Sequence, residues 1–409
     1  MPFNGGESVK IAYIGGGVND LRIVNGVMYF MSNVGPVQED VKFVEDWPPL
    51  WFNGRGFIHT FKSHLFSLDL NGSIRQITSG DFDVVAYDVE PSGRRAAIAV
   101  STNKFKPYRN EVWVVNLESG ERYSVLSNYS VSAIKWSPDG KYLALVGNDL
   151  HRGFATHDHV LLVRPEGGEV VDLMRSIDRN VGNSLNSDVR GGSPPPIRLQ
   201  WVGDWVYFIM MDGGTSKLVR AGVNGGVDVV ISGERSIEDF AVMKDGTIYF
   251  ISMDSLRPTE LYRWFNGSEE RITNFNDWVN SVELSKPEPF RFRASDGREV
   301  EGWLMRPAGF RQGIRYPAVL EIHGGPKTAY GYSFMFEFQL LANEGFVVIF
   351  MNPRGGSDGY DEEFADIRGH YGERDYEDLM EGLDYVIKNY DFIDPNRLGG
   401  SLVVHTVVL

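Results

Sequence analysis

Cysteine is absent from all 409 residues. Its absence excludes disulfides, zinc–thiolate sites and cysteine catalysis, and it fits a reducing compartment. Basic residues are scarce too: 40 Lys and Arg stand against 55 Asp and Glu, for a net charge of −15. Such a surface repels phosphates, so neither a nucleic acid nor an anionic membrane is an expected partner. No basic region followed by an apolar run opens the chain at Met1-Pro2-Phe3, so no secretory leader is expected. No apolar run approaches the length that spans a bilayer. These absences point to a cytoplasmic protein.

What is there is apolar and repetitive. The hydrophobic fraction is 42% and the aromatic fraction 13%, enough for a sizeable core, and the length favours two domains. In the first 285 residues one pattern recurs: an apolar strand, a tight turn with glycine, then an alternating strand. It is seen at Leu21–Ser32, Val89–Val100, Trp136–Val146, Trp201–Ile209 and Val242–Ser252. Asn25-Gly26, Asp139-Gly140 and Asp245-Gly246 favour the positive φ of hairpin turns. A second hairpin follows, as in His64–Leu70 turning at Asn71-Gly72, or Leu261–Phe265 turning at Asn266-Gly267. Four short strands per unit, repeated, predict propeller blades, because a lone blade cannot bury both of its faces. The rival is a β-sandwich. Five units are expected, over 21–79, 84–126, 131–173, 197–232 and 236–275, with Glu7–Ile14 as the outer strand of an earlier blade.

Lys286-Pro287-Glu288-Pro289 reads as a linker to a second domain at 289–409. An alternating hairpin follows, Phe290–Ser295 and Glu299–Met305. The period then changes. Tyr316–Ile322 and Phe346–Met351 are continuous apolar runs suited to strands buried on both faces. Helices are expected at Phe336–Glu344 and Asp375–Tyr390, the second with Leu379, Leu383, Val386, Ile387 and Tyr390 on one face. Alternating strands and helices imply a mainly parallel α/β sheet.

His323-Gly324-Gly325-Pro326 directly follows an apolar strand, where glycines can aim a backbone N–H at a developing oxyanion. Asn352-Pro353-Arg354-Gly355, Gly359-Tyr360, Ile367-Arg368-Gly369, Gly372, Asp378-Leu379-Met380 and Asp394–Gly399 follow in order. With Trp51–Phe57 earlier in the chain, this set resembles the prolyl oligopeptidase family of serine peptidases, in particular its acylaminoacyl-peptidase branch. The resemblance implies an all-β propeller, seven-bladed in the family and about five blades plus a fragment here. The N-terminal half of an α/β-hydrolase domain would follow it. It implies release of N-acylated residues from short peptides, with no cofactor, and leaves homo-oligomerisation open. It places the Gly325 N–H in the oxyanion hole, with His323, Gly324, Pro326 and Arg354 supporting that motif, Arg354 as a brace and His323 as an orienting residue.

The family sets a Gly-x-Ser-x-Gly elbow after Arg-Leu-Gly. Here Gly399-Gly400-Ser401-Leu402-Val403 puts valine where glycine is needed, so Ser401 is not expected to be a nucleophile, and no Asp and His partners follow. His405 lies too close behind to serve as the base. A coding string for the family's Gly-Val-Thr-Gly-Gly-Ser-Tyr-Gly-Gly-Phe-Met, read one base later, yields Gly-Ser-Leu-Val-Val-His-Thr-Val-Val-Leu and a stop. That matches Gly400–Leu409. The tail is therefore expected to be a frameshifted reading and the chain to be truncated and inactive, with Leu320, Ile322, Val348 and Phe350 short of cover. A non-catalytic peptide- or protein-binding propeller is the alternative. His151, His157 and His159 are read as surface histidines rather than a metal site, and Gly15-Gly16-Gly17 lacks the β–α context of a nucleotide loop.

Overall fold

The computed structural model describes residues 5–35, 51–52, 56–57, 61–103, 106–190, 195–324, 327–356 and 366–403. The chain divides into two units, Met1–Asp149 with Leu161–Val171, and Leu150–Val160 with Asp172–Leu409.

The first unit begins with an antiparallel four-stranded sheet, Asn19–Val24, Val27–Val34, Lys62–Leu68 and Ile74–Gln76, paired in chain order. Its first hairpin turns on Asn25 (φ 51°) and Gly26 (φ 80°), as the Asn-Gly pair dictates. A seven-stranded sheet follows, from Asp83–Val89 through Arg95–Ser101, Asn110–Asn116 and Arg122–Trp136 to Leu143–Asn148, His159–Val163 and Val171–Asp172. It merges two of the expected units. Arg122–Trp136 is one strand of 15 residues whose first half pairs with Asn110–Asn116 and whose second half pairs with Leu143–Asn148. The core between blades is built from small and branched side chains, among them Ala96, Ile98, Val100 and Val115 packed with Tyr87 and Leu65. Glu7–Ile14 forms no strand: Val9, Ile11 and Tyr13 are exposed, and only Ala12 and Ile14 pack on Met28, Phe30 and Leu68. Two residues beyond, a Cβ at Gly16 would meet the Asn33 carbonyl oxygen at 1.9 Å.

The second unit holds two more four-stranded blades. One runs Gln200–Val202, Trp205–Asp212, Thr215–Gly222 and Val227–Ile231. The other runs Ser236–Val242, Ile248–Asp254, Arg257–Phe265 and Ser268–Arg271. The five expected units are thus present in four sheets, two of them merged in one. A mixed sheet comes next: β1 (Glu288–Arg293), β2 (Glu299–Met305), β3 (Tyr316–His323), β4 (Val347–Asn352) and β5 (Ile393–Val403), in the order β1-β2-β4-β3-β5. β1, β2 and β4 pair antiparallel, whereas β3 pairs parallel with both β4 and β5. Pro289, expected in the linker, already pairs with Trp303. A proline is tolerated there because β1 is an edge strand.

Helix α1 (Phe336–Asn343) and helix α2 (Arg374–Asn389) accompany this sheet. Leu379 and Val386 of α2 are buried with Leu304, Leu320 and Ile349, and Phe338 and Ala342 of α1 are buried with Trp303, Val348 and Phe350. The expectation that Leu320, Ile322, Val348 and Phe350 would lack cover is therefore corrected. The first, third and fourth are buried and Ile322 is partly buried, because β5 completes β3 on its outer side and each helix contributes side chains to one of these clusters.

Candidate functional site

The site grows from the end of β3. A run that is apolar but for Glu321, Ala318-Val-Leu-Glu-Ile322, lies between β4 and β5 and delivers His323 and Gly324 at its exit. Gly325 and Pro326, the expected oxyanion donor and its neighbour, lie outside the described residues. What flanks them is tightly tied. The His323 Nδ1–H donates to the Gly324 carbonyl oxygen (2.8 Å), and the Thr328 hydroxyl donates to the same oxygen (2.5 Å). Burial lowers the pKa of His323, against hydrogen bonds to Gly324 and Asn352 that raise it.

Beyond the turn, Lys327 adopts φ 73° and its N–H donates to the Gly355 carbonyl (3.4 Å). Its ammonium donates to the Thr156 carbonyl (3.3 Å) and stands 4.6 Å from the centre of the Phe154 ring. Asn352, at the end of β4, accepts from the Tyr330 N–H (2.8 Å) and donates back to its carbonyl (2.9 Å). A loop from residue 183 to 190 holds the following backbone. The Asn186 N–H donates to Ala329 O (2.8 Å), the Ser187 hydroxyl donates to Phe334 O (2.8 Å), and the Asp188 carboxylate accepts the N–H groups of Phe336 and Glu337 (both 2.7 Å).

Arg354 is 7% exposed and forms two parallel bonds to the fully buried Asp378, each 2.8 Å, with a third arm to Asp296 at 2.8 Å. The Arg354 hydrogen bond is the main reason Asp296 titrates down at about 2. Gly355, beside it, sits at φ 92°, and a Cβ there would meet Ile367 Cδ1 at 2.3 Å. The motif residues His323, Gly324 and Arg354 thus gather around one turn and its neighbouring loop.

Ser401 is elsewhere in kind. It lies inside β5, opposite Glu321 of β3, and not in a strand-to-helix turn. His405 lies outside the described residues. His157 and His159 each meet a different aspartate, Asp178 at 3.2 Å and Asp172 at 2.8 Å, so carboxylates do stand near them, one to each ring. No group of three or more His, Asp or Glu side chains suited to a metal occurs among the described residues. Nor, among them, is any helix long and apolar enough to cross a membrane.

Sequence reasoning missed Glu321, Tyr330, Thr328 and Asp188. A glutamate inside an otherwise apolar, two-sided strand was a readable signal. Asp188 was not, since its helix lies 148 residues further on.

Comparison with known proteins accounts for both parts. Residues 6–258 match the family described as acylaminoacyl-peptidase, N-terminal beta-propeller domain, and residues 332–401 match the prolyl oligopeptidase family. A peptidase of Bacillus subtilis, YuxL, is 36% identical over 253 residues, covering 60% of this chain and 38% of its own length. Dipeptidyl-peptidase 5 of Porphyromonas gingivalis is 25% identical over 74% of this chain and 42% of its own. Among solved structures, the acylaminoacyl peptidase of Pyrococcus horikoshii superposes with a TM-score of 0.79 at 22% identity, covering 95% of this chain and 59% of that one. A puromycin hydrolase gives 0.70 at 16% identity, over 94% and 57%. The chain therefore spans about two fifths of the length of these curated relatives. With a propeller match that extends over more than half of its residues, the chain belongs to the prolyl oligopeptidase family of serine peptidases, in its acylaminoacyl-peptidase branch.

Proposed function

We propose that this chain supplies the propeller and the oxyanion side of a serine exopeptidase that releases N-acylated residues from short peptides. The observation that carries the reading is the pairing of an acylaminoacyl-peptidase propeller over 6–258 with a peptidase sheet whose β3 runs into the His323–Gly324 turn. In this reading residues 1–285 restrict access to short peptides and residues 289–409 belong to the peptidase domain. The Gly325 N–H takes part of the oxyanion charge, His323 orients the turn, and Arg354 braces the adjoining loop against Asp378. The work is done in the cytoplasm without a cofactor, nucleic acid or membrane, and self-association is left open.

Ser401 has no place as nucleophile in this scheme, because attack requires an exposed hydroxyl on a strained turn, and Ser401 sits in a ladder. In this reading Ser401 drives no turnover, because its place in the ladder opposite Glu321 keeps it off a nucleophile turn. The purified chain, given an N-acetylated chromogenic peptide, should release no product with or without Ser401→Ala. Turnover abolished by that substitution overturns the proposal. Joined to a peptidase domain that carries a complete triad, the propeller should select N-acetylated over free-amine peptides. The reverse preference would move the reading to dipeptidyl release, the activity named in relatives such as that of Porphyromonas gingivalis. The placement of Ser401 also supports a second reading, a non-catalytic propeller that binds peptides. Peptide affinity with no turnover would select it.

A further inference from the structure

Glu321 has nowhere to put a charge. It lies in β3, one residue after the buried Leu320 and one before the partly buried Ile322, and strand alternation turns it to the opposite face. The residue is fully buried, and apart from the Ser401 hydroxyl across the strands its carboxyl finds no hydrogen-bond partner. Phe350 of β4 and Ser401 of β5 are its cross-strand neighbours. Tyr330 lies close by, and its hydroxyl is buried and unpartnered.

The charges facing this spot offer no help. Burial lowers the pKa of His323, two residues on, and so disfavours a cation there. The Tyr330 phenol is held neutral, chiefly by burial. Glu337 of α1 repels a second carboxylate, and Asp188 at the start of α1 adds to the negative field around Tyr330. Among the described residues no cation forms an ion pair with Glu321. A buried, unpaired carboxylate is far more costly than a buried neutral acid. The acid form also has an O–H to give, to Ser401 across the strands or to the Tyr330 oxygen, which would relieve orphaned groups on both sides.

We infer that Glu321 is held as a neutral carboxylic acid that fastens β3 to β5 beneath the His323–Gly324 turn, making this strand pair a pH-sensitive latch. The inference does not depend on peptidase activity. Burial first, and Glu337 second, lift the Glu321 pKa from 4.5 to about 7, the Ser401 hydroxyl pulling weakly the other way. The unfolded chain releases this proton near 4.5, the fold only near 7. The stabilisation is therefore full below the lower value, declines as pH rises between the two, and is gone once pH has passed the upper one.

The test uses the whole chain, its Glu321→Gln form and its Glu337→Gln form. Glutamine keeps the shape of the neutral acid and cannot ionise. In urea unfolding, the unfolding constant of the unaltered chain relative to Glu321→Gln should rise roughly a hundredfold between about pH 5 and about pH 8. Amide exchange in β3 and β5, corrected for intrinsic rate, should accelerate over that window in the unaltered chain and stay level in Glu321→Gln. Glu337→Gln removes the repelling charge and should move the transition to lower pH. The infrared spectrum should contain a protonated-carboxyl band at about pH 6 that Glu321→Gln lacks. Parallel pH profiles for the two forms overturn the inference, as does an unmoved transition in Glu337→Gln. Should Glu321→Gln fail to fold, the infrared titration of the unaltered chain decides alone. A band that titrates near 7 upholds the inference and one that titrates near 4.5 overturns it.

Discussion

Arg354 and Asp378 form an ion pair with almost no water around it, so the two groups depend on each other. Removing one partner strands the other charge. Arg354→Met should cost about 3–5 kcal/mol, read as a lower urea midpoint, whereas the double change with Asp378→Leu should regain most of it. The same network sets an acid response. Arg354 holds Asp296 at about 2 against an ordinary 3.8, so its contribution is present above the ordinary value and lost as pH falls towards 2. Thermal melts taken down that range should lose less in Asp296→Asn than in the unaltered chain. Gly355 is constrained twice, by φ 92° and by Ile367, so Gly355→Ala should destabilise by about 2 kcal/mol or more in the same urea assay. None of these partners could be paired from sequence. The Asn-Pro-Arg-Gly segment marks a loop, but nothing local ties position 354 to 378 or to 296.

Among the helices, α1 depends on a residue far away in the chain. Its own N-cap, Met335, offers no side-chain acceptor, and the two N–H groups of its first turn are satisfied by Asp188. Asp188→Ala should destabilise by about 1–2 kcal/mol, with hydrogen exchange rising over Phe336–Asn343 before it rises over β2 and β4. Periodicity placed this helix and α2 to within a residue or two, since an apolar stripe is a local signal. It also chose Leu379, Leu383 and Val386 correctly for the inner face of α2. It passed over Asp378 and Gly382, both buried on that helix. A polar and a side-chain-free residue look like surface positions until Arg354 and Met351 are seen against them: a Cβ at Gly382 would meet Met351 Sδ at 2.5 Å. The fate of Leu320, Val348 and Phe350 was misjudged for a related reason, because the pairing of β5 with β3 joins segments about eighty residues apart.

Across the first unit, Asp88 is a hub. From the strand Asp83–Val89 its buried carboxylate accepts from Arg22 (2.5 Å), from Lys135 (3.3 Å) and from the backbone of Trp136 (2.8 Å), so one residue staples three successive blades. Asp88→Ala should cost about 3 kcal/mol or more, measured as a lower melting temperature. The blade count was legible because each repeat announces itself with a glycine turn between apolar strands, as at Gly93 and Gly140. Glu7–Ile14 misled because alternation alone does not supply a partner strand. The two blades between Asp83 and Asp172 were counted correctly but not their union, since Arg122–Trp136 reads as two strands separated by residues 127–130. That union has a consequence for rearranging the molecule. New chain ends opened at Gly203 or Gly246 would fall in tight hairpin tips and spare every ladder. Ends opened at Asn128 would sever a ribbon that two blades share. Circular permutants should therefore be recovered at the first two sites and lost at the third, and modules copied or exchanged during evolution would have to move these two blades as an inseparable pair.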